Sequence, residues 1–205
     1  MIIGSHNSWS YLRPKKWWMR LLAFTARCQH YVLWAQYKEG ARCFDLHVRF
    51  TEKREVEVVH GPIVYDIESE VPGGCIYDYL KMLDDSRDVS VRVILDVRTR
   101  KARKHYGFQC ECFKDFCKDL EMLYPHITFW CGRMVKGWHP VYYFNYDPSC
   151  KEDYASVSSI GIWPWLYARL FNLRILKKGT DEDILLLDFV DINGRWRCTK
   201  QRKKR

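Results

Sequence analysis

Met1-Ile2-Ile3-Gly4-Ser5-His6-Asn7-Ser8 opens the chain with an apolar run that stops abruptly at a histidine followed by an amide. Met1 to Ile3 read as a buried strand, Gly4 as a position that lets the backbone turn, and His6-Asn7 as polar groups lifted off the strand's carboxyl end. Folds of the α/β class keep their chemistry at such ends. A lone histidine in a turn is more often a packing or surface residue, so the other strands decide what His6 means.

Working outward, Ala41 to Arg49 alternates, with Arg42, Phe44, Leu46 and Val48 on one face and Cys43, Asp45, His47 and Arg49 on the other. A carboxylate, an imidazole and a guanidinium pointing the same way are costly to bury unless that face is a site. Val56 to Val59 is a second apolar run, and it too ends in a histidine followed at once by a turn, His60-Gly61-Pro62. His6 and His60 are therefore expected at equivalent ends of different strands. Val89 to Val97 is a near-continuous apolar strand of the buried parallel kind that finishes on Asp96, with Arg98 and Arg100 just beyond. Ile184 to Val190 is another, carrying Asp188 in its carboxyl half.

Helical spacing is expected over Thr25 to Glu39, stopped by Gly40, over Ile76 to Leu83, over Tyr106 to Leu123 and over Trp165 to Asn172. His126 to Cys131 and Val141 to Phe144 read as further strands, and Ser158 to Gly161 as a loop. Strands alternating with helices give βα units and a parallel sheet. Several strands delivering a polar residue at one end favour closure, because closure sets the first strand beside the last and His6 beside Asp188. The expected fold class is α/β: a single distorted, compact (β/α)8 TIM-type barrel. Eight full units are tight in 205 residues, so some helices should be reduced or missing.

A chain of 205 residues that is 47% hydrophobic supports one substantial core, assigned to residues 1–194, followed by a basic tail at 195–205. The net charge is +9, and seven of those eleven tail residues are Lys or Arg, from Arg195 to Arg205, with no acid among them. Such a tail is drawn to anionic surfaces. Trp17-Trp18 and Trp163-Pro164-Trp165 add aromatics of the kind that settle at a membrane interface, although core packing accounts for tryptophans equally well. No apolar run is long enough to span a bilayer, and no leader pattern precedes the first strand; the expectation is a cytoplasmic or peripheral-membrane protein. The nine cysteines are scattered and odd in number, which points to free thiols. Cys110, Cys112 and Cys117 near His105 lack the second close pair that a structural zinc site would use. No nucleic-acid recognition motif accompanies the basic tail, and a monomer is expected.

Gly4-Ser5-His6-Asn7-Ser8, then Gln29 and Gln36 before Gly40-Ala41-Arg42-Cys43-Phe44-Asp45-Leu46, then His60-Gly61, resemble the X region of phosphatidylinositol-specific phospholipase C over the first hundred residues or so. The resemblance implies a distorted barrel, a phospholipid or membrane-surface partner, and phosphodiester cleavage through a cyclic phosphate by general acid and base. His6 and His60 would be that pair, with Asp188 orienting His6 and Asp45 joining the catalytic set. One branch of the family meets the phosphorus charge with calcium, and Asn7, Asp45 and Asp96 match its ligand positions. The other branch uses an arginine, and His47 stands where that arginine or a second acid is expected. Imidazole is a poor calcium ligand, so Arg49 or Arg98 is the alternative source of positive charge, a divalent cation being the favoured expectation. Plainer readings compete: an Asp45–Arg49 ion pair along one strand face, Asp96 as a helix cap, Asp188 as a satisfied buried acid. Two other functions also remain open: a glycerophosphodiester- or sphingomyelin-cleaving barrel, and a lipid-binding module without chemistry.

Overall fold

The computed structural model describes residues 2–70, 72–132, 164–178 and 184–190. In chain order these form β1 (Ile2–Ser5), two 3-10 turns (Trp17–Leu21 and Ala23–Thr25), α1 (Leu33–Lys38), β2 (Cys43–Phe50), β3 (Val56–His60) and β4 (Ile63–Val64). A 3-10 turn at Ile67–Ser69 follows, then α2 (Ile76–Asp84), β5 (Ser90–Leu95), α3 (Arg100–Lys104), α4 (Tyr106–Leu123), β6 (Thr128–Cys131), α5 (Pro164–Lys178) and β7 (Ile184–Leu187). The readings at Val141 to Phe144, at Ser158 to Gly161 and in the basic tail lie outside the described residues.

Five strands run parallel in the order β6-β5-β2-β1-β7, so that the first and last strands of the described chain are neighbours. β1 has Gly4 opposite Leu186, and a Cβ at Gly4 would run into the Leu186 side chain and come within 3.1 Å of Cys43 Cβ and 3.2 Å of Cys43 O, a tight space between β2 and β7 that glycine fits. β2 is buried at every position except Arg49, as expected of a strand covered on both faces. Its far end is held by Gln109 of α4, whose amide accepts from Phe50 N (2.9 Å) and donates to Phe50 O (2.7 Å). Phe113, Phe116 and Leu120 of α4, and Ile76, Leu80 and Leu83 of α2, supply the apolar faces that cover this side of the sheet.

Three expectations change. His60 does not end a parallel strand: β3 folds back antiparallel on β2, with Val58 opposite Val48. Only Thr51 to Glu55 join the two strands, and a parallel crossover needs a dozen residues or more. The helix expected over Thr25 to Glu39 is confined to Leu33–Lys38. Upstream of it, the Ser10 hydroxyl accepts the backbone N–H groups of Cys28 and Gln29 (2.9 Å each), and these tertiary bonds hold the segment out of a helix. The third, the eight-unit closed barrel, is met only in part, as a mixed α/β fold with a sheet of seven strands: closure is not shown, and among the described residues the sheet ends at β6, at β7 and at β4 of the hairpin that pairs with β2.

Candidate active site

The site begins with the backbone at the carboxyl end of β1. His6 N–H donates to Leu187 O (3.0 Å), and Ser8 N–H donates to Asp45 O (2.9 Å), so the turn after β1 is pinned to both neighbouring strands. Asn7 sits at φ 43°, a conformation that asparagine tolerates better than most residues. Gln29 donates to Leu187 O (2.7 Å) and His6 O (3.2 Å), and Gln36 donates to Ser8 O (2.9 Å) and Tyr31 O (2.6 Å). Both glutamines are buried, and between them they satisfy His6 O and Ser8 O of the turn.

On this frame three imidazoles meet. The ring centroids of His6 and His60 are 6.3 Å apart and those of His6 and His47 6.4 Å, while His47 and His60 are separated by 5.5 Å. His6 Nδ1 is 2.7 Å from Asp188 Oδ1, a residue at the opposite end of the sequence brought in by β7. His6 Nε2 faces inward, 3.8 Å from Asp45 Oδ2. Asp45 is fully buried: it accepts from Asn7 N–H (3.0 Å) and from Arg92 Nη1 (3.2 Å), and His47 Nε2 lies 3.2 Å from its Oδ2. The other ring nitrogen of His47 is 3.4 Å from Asp96 Oδ2. Asp96 in turn accepts Gly61 N–H (2.8 Å) and is forked by the Arg98 guanidinium, which also approaches His47 Nδ1 at 3.5 Å.

The plainer readings of Asp45 and Asp96 are thereby replaced. Asp45 pairs with Arg92 on the next strand, not with Arg49, and the cap of α3 is Thr99 rather than Asp96. Arg49 is engaged by Glu57 (3.2 Å) and Gly61 O (3.4 Å), where it ties β2 to the hairpin that carries His60; it is not among the groups that converge. Arg98 is, with its side chain 35% exposed at the mouth. Two residues outside the candidate set also reach the site, Arg92 against Asp45 and Cys28 beside His6 and Asp188. A lone arginine inside Val-Arg-Val-Ile-Leu, a run otherwise apolar, is the available signal for the first, because a buried guanidinium needs a buried acid.

The electrostatics divide the histidines. Burial disfavours the His6 cation, but Asp188 and Asp45 together outweigh it, and its pKa is raised above 6.5. Burial, then Arg98 and the other two imidazoles, push His60 well below 6.5, so that it is neutral in the ligand-free protein. Burial works against ionisation of Asp45 and Asp96 as well. Arg92 and His47 overcome it for Asp45, His47 and Arg98 for Asp96, and both carboxyls are held well below the usual carboxylate range.

Calcium asks for six to eight oxygen ligands. Asn7, Asp45 and Asp96 do not offer them: the His47 ring stands between the two carboxylates, whose oxygens already meet Arg92, Arg98 and backbone N–H groups. The Asn7 side chain sits beside Cys28 and Tyr65. The ligand set that the resemblance implied therefore does not fit calcium.

A parallel sheet with acid–base groups gathered at its carboxyl ends defines an α/β protein with an enzyme-like site. No protein-family model and no curated protein sequence matches this chain. Solved structures do. The phosphatidylinositol-specific phospholipase C from Listeria monocytogenes superposes with a TM-score of 0.57 at 15% identity, covering 97% of this chain and 91% of that one. A double mutant of the corresponding Staphylococcus aureus enzyme gives a TM-score of 0.55 at 15% identity, covering 92% and 84%. The fold is thus that of the bacterial phosphatidylinositol-specific phospholipases C. Among the described residues no helix is long and apolar enough to cross a membrane.

Proposed function

We propose that the protein is a phosphodiesterase that cleaves phosphatidylinositol or a related phospholipid through a cyclic phosphate. The observation that carries this reading is the His6–His60 pair, 6.3 Å between perpendicular rings at one sheet end, with Asp188 against the outer nitrogen of His6. His6 Nε2 takes the proton of the hydroxyl next to the phosphoester. The freed oxygen attacks phosphorus, and the bond to the diacylglycerol oxygen breaks. His60 gives that oxygen its proton. Asp188 stabilises the imidazolium formed on His6, which is the part a buried carboxylate plays beside a general base. Burial first, and then Arg98, hold His60 neutral; an anionic diester at Arg98 offsets the guanidinium charge and adds a negative charge beside the ring, and both favour the His60 cation that delivers the proton. Arg98, forked on Asp96 and reaching the mouth, supplies the charge for the phosphorane oxygens.

A lipid substrate agrees with the surface that follows the site. Trp17, Leu21, Leu22 and Phe24 are exposed, Trp17 by 72%, and Lys15, Lys16 and Arg20 are exposed among them. Amphipathic aromatics interleaved with cations suit an interface of anionic phospholipid. The test is phosphorus NMR of phosphatidylinositol vesicles incubated with the protein in excess chelator. A cyclic inositol phosphate resonance is the expected product; no turnover of the lipid, or turnover that survives His6→Ala, overturns the reading.

A further inference from the structure

Two of the three imidazoles share an arrangement that acid–base catalysis alone does not require. His6 holds its Nδ1 against Asp188 at 2.7 Å and His47 its Nδ1 near Asp96 at 3.4 Å, with Arg98 at 3.5 Å from the same nitrogen, and the inner nitrogens of both rings converge on one oxygen, Asp45 Oδ2, at 3.8 and 3.2 Å. A carboxylate behind the outer nitrogen of an imidazole is the usual support of a metal-binding histidine: it fixes the tautomer and leaves Nε2 as the lone pair. Two nitrogen and oxygen ligands on one tetrahedral zinc ion lie about 3.3 Å apart, from bonds of about 2.0–2.1 Å. The observed distances bracket that value, and all three ligand atoms lie within 4.8 Å of one another. The residue that spoils the calcium site, His47, is the one that completes this set. Charge balance points the same way. Among the described residues Asp45, Asp96 and Asp188 bring three buried carboxyl groups, Arg92 and Arg98 face two of them and His6 the third, which leaves one negative charge there for a protonated histidine or a cation to meet.

We propose that His6 Nε2, His47 Nε2 and Asp45 form a site for a borderline divalent ion of the zinc type, a two-histidine, one-carboxylate set with an open position toward the mouth. The ion takes the lone pair that His6 uses as a base, so binding it switches off the phosphodiester chemistry; that consequence rests on the function proposed above. His60, whose ring centroid is 5.5 Å from that of His47, stands beside the open position. A rival group, His6, Cys28 and Asp188, is weaker. Burial and the nearby carboxylates hold the Cys28 thiol well above its usual pKa, and Asp188 is already committed to His6.

The experiment uses the full chain, stripped with chelator and free of substrate, titrated with Zn²⁺ against a chromophoric competitor. One equivalent bound is expected, unaffected by millimolar Ca²⁺. Asp188→Asn should weaken it by the about 10–100-fold that loss of an outer carboxylate costs, and His47→Ala by more. His47→Gln, which keeps polar atoms between Asp45 and Asp96, guards against misfolding of the alanine variant; near-ultraviolet circular dichroism checks both. Co²⁺ in the unmodified protein should give a visible spectrum of low coordination number without a sulfur charge-transfer band. Failure to take up zinc, uptake equal in both folded His47 variants, or a cobalt–sulfur band overturns the site. Turnover that persists at saturating Zn²⁺ overturns the switch. Zinc uptake by a protein that turns over no phosphatidylinositol in chelator supports the site and overturns the acid–base function instead.

Discussion

His6 and His60 are the same side chain a few ångströms apart, yet the two regions that present them treat them in opposite ways. His6 stands between β1 and β7, where Asp188 and Asp45 favour its cation. His60 stands on the β3–β4 hairpin, where burial and the Arg98 guanidinium suppress its cation, although Asp96 lies close by. The difference comes from what each acid is already doing: Asp188 has a histidine as its charged partner, whereas Asp96 is forked by Arg98 and has little charge left to offer. The proposed cycle starts from the reverse of this resting distribution, a neutral His6 and a protonated His60, so the bound anionic diester must bring the proton onto His60 before cleavage.

The largest effect should come from removing either ring. His6→Ala and His60→Ala should each lower kcat/KM on phosphatidylinositol by about 10²–10⁴-fold, the span of one general acid or base, with the fold retained by circular dichroism. Next comes the pairing beneath His6. Arg92→Met leaves the buried Asp45 with its other partners only, and the loss of one member of a buried ion pair costs about 3–5 kcal/mol in urea denaturation. Its pH dependence carries a sign. Asp45 has a folded pKa below its unfolded 3.8, so the stability it contributes is present above 3.8 and is lost as pH falls through the folded value. In Arg92→Met that loss on acidification should shrink.

Asp188→Asn acts on His6 and removes a carboxylate beside Cys28. With the carboxylate gone, burial dominates and the His6 pKa falls. The acid limb of the kcat/KM profile, set by deprotonation of the base, should move to lower pH while the plateau drops by about 10–100-fold, in proportion to the lost imidazolium stabilisation. A limb that stays in place would separate Asp188 from the base. The smallest shift is read in the ligand-free protein: Arg98→Met, apart from its cost to turnover, should let the His60 pKa rise toward 6.5 without reaching it, because burial remains, and proton NMR of the His60 ring reads this directly.

Much of this was legible in the chain. α4 was read from spacing at its observed bounds, since long amphipathic helices carry their signal in many residues. His6, Asp45, His60, Asp96, Arg98 and Asp188 were all singled out, because polar residues at the ends of apolar strands are conspicuous, and all converge. Arg49 was singled out on the same ground and does not join them, because Glu57 on the antiparallel strand claims it. The direction of β3 is legible in its connection, since Thr51 to Glu55 are too few for a parallel crossover, whatever the likeness between the two histidines.

What the sequence by itself determined is the set of elements and the chemistry at their ends, for both depend on local order: which residues are apolar, at what period, and which polar residue interrupts them. Which acid serves which base was decided only by tertiary structure. Asp45 chose Arg92 over Arg49, and Asp188 reached His6 across the length of the chain, because strand pairing and direction, not proximity in sequence, set which side chains share a desolvated space.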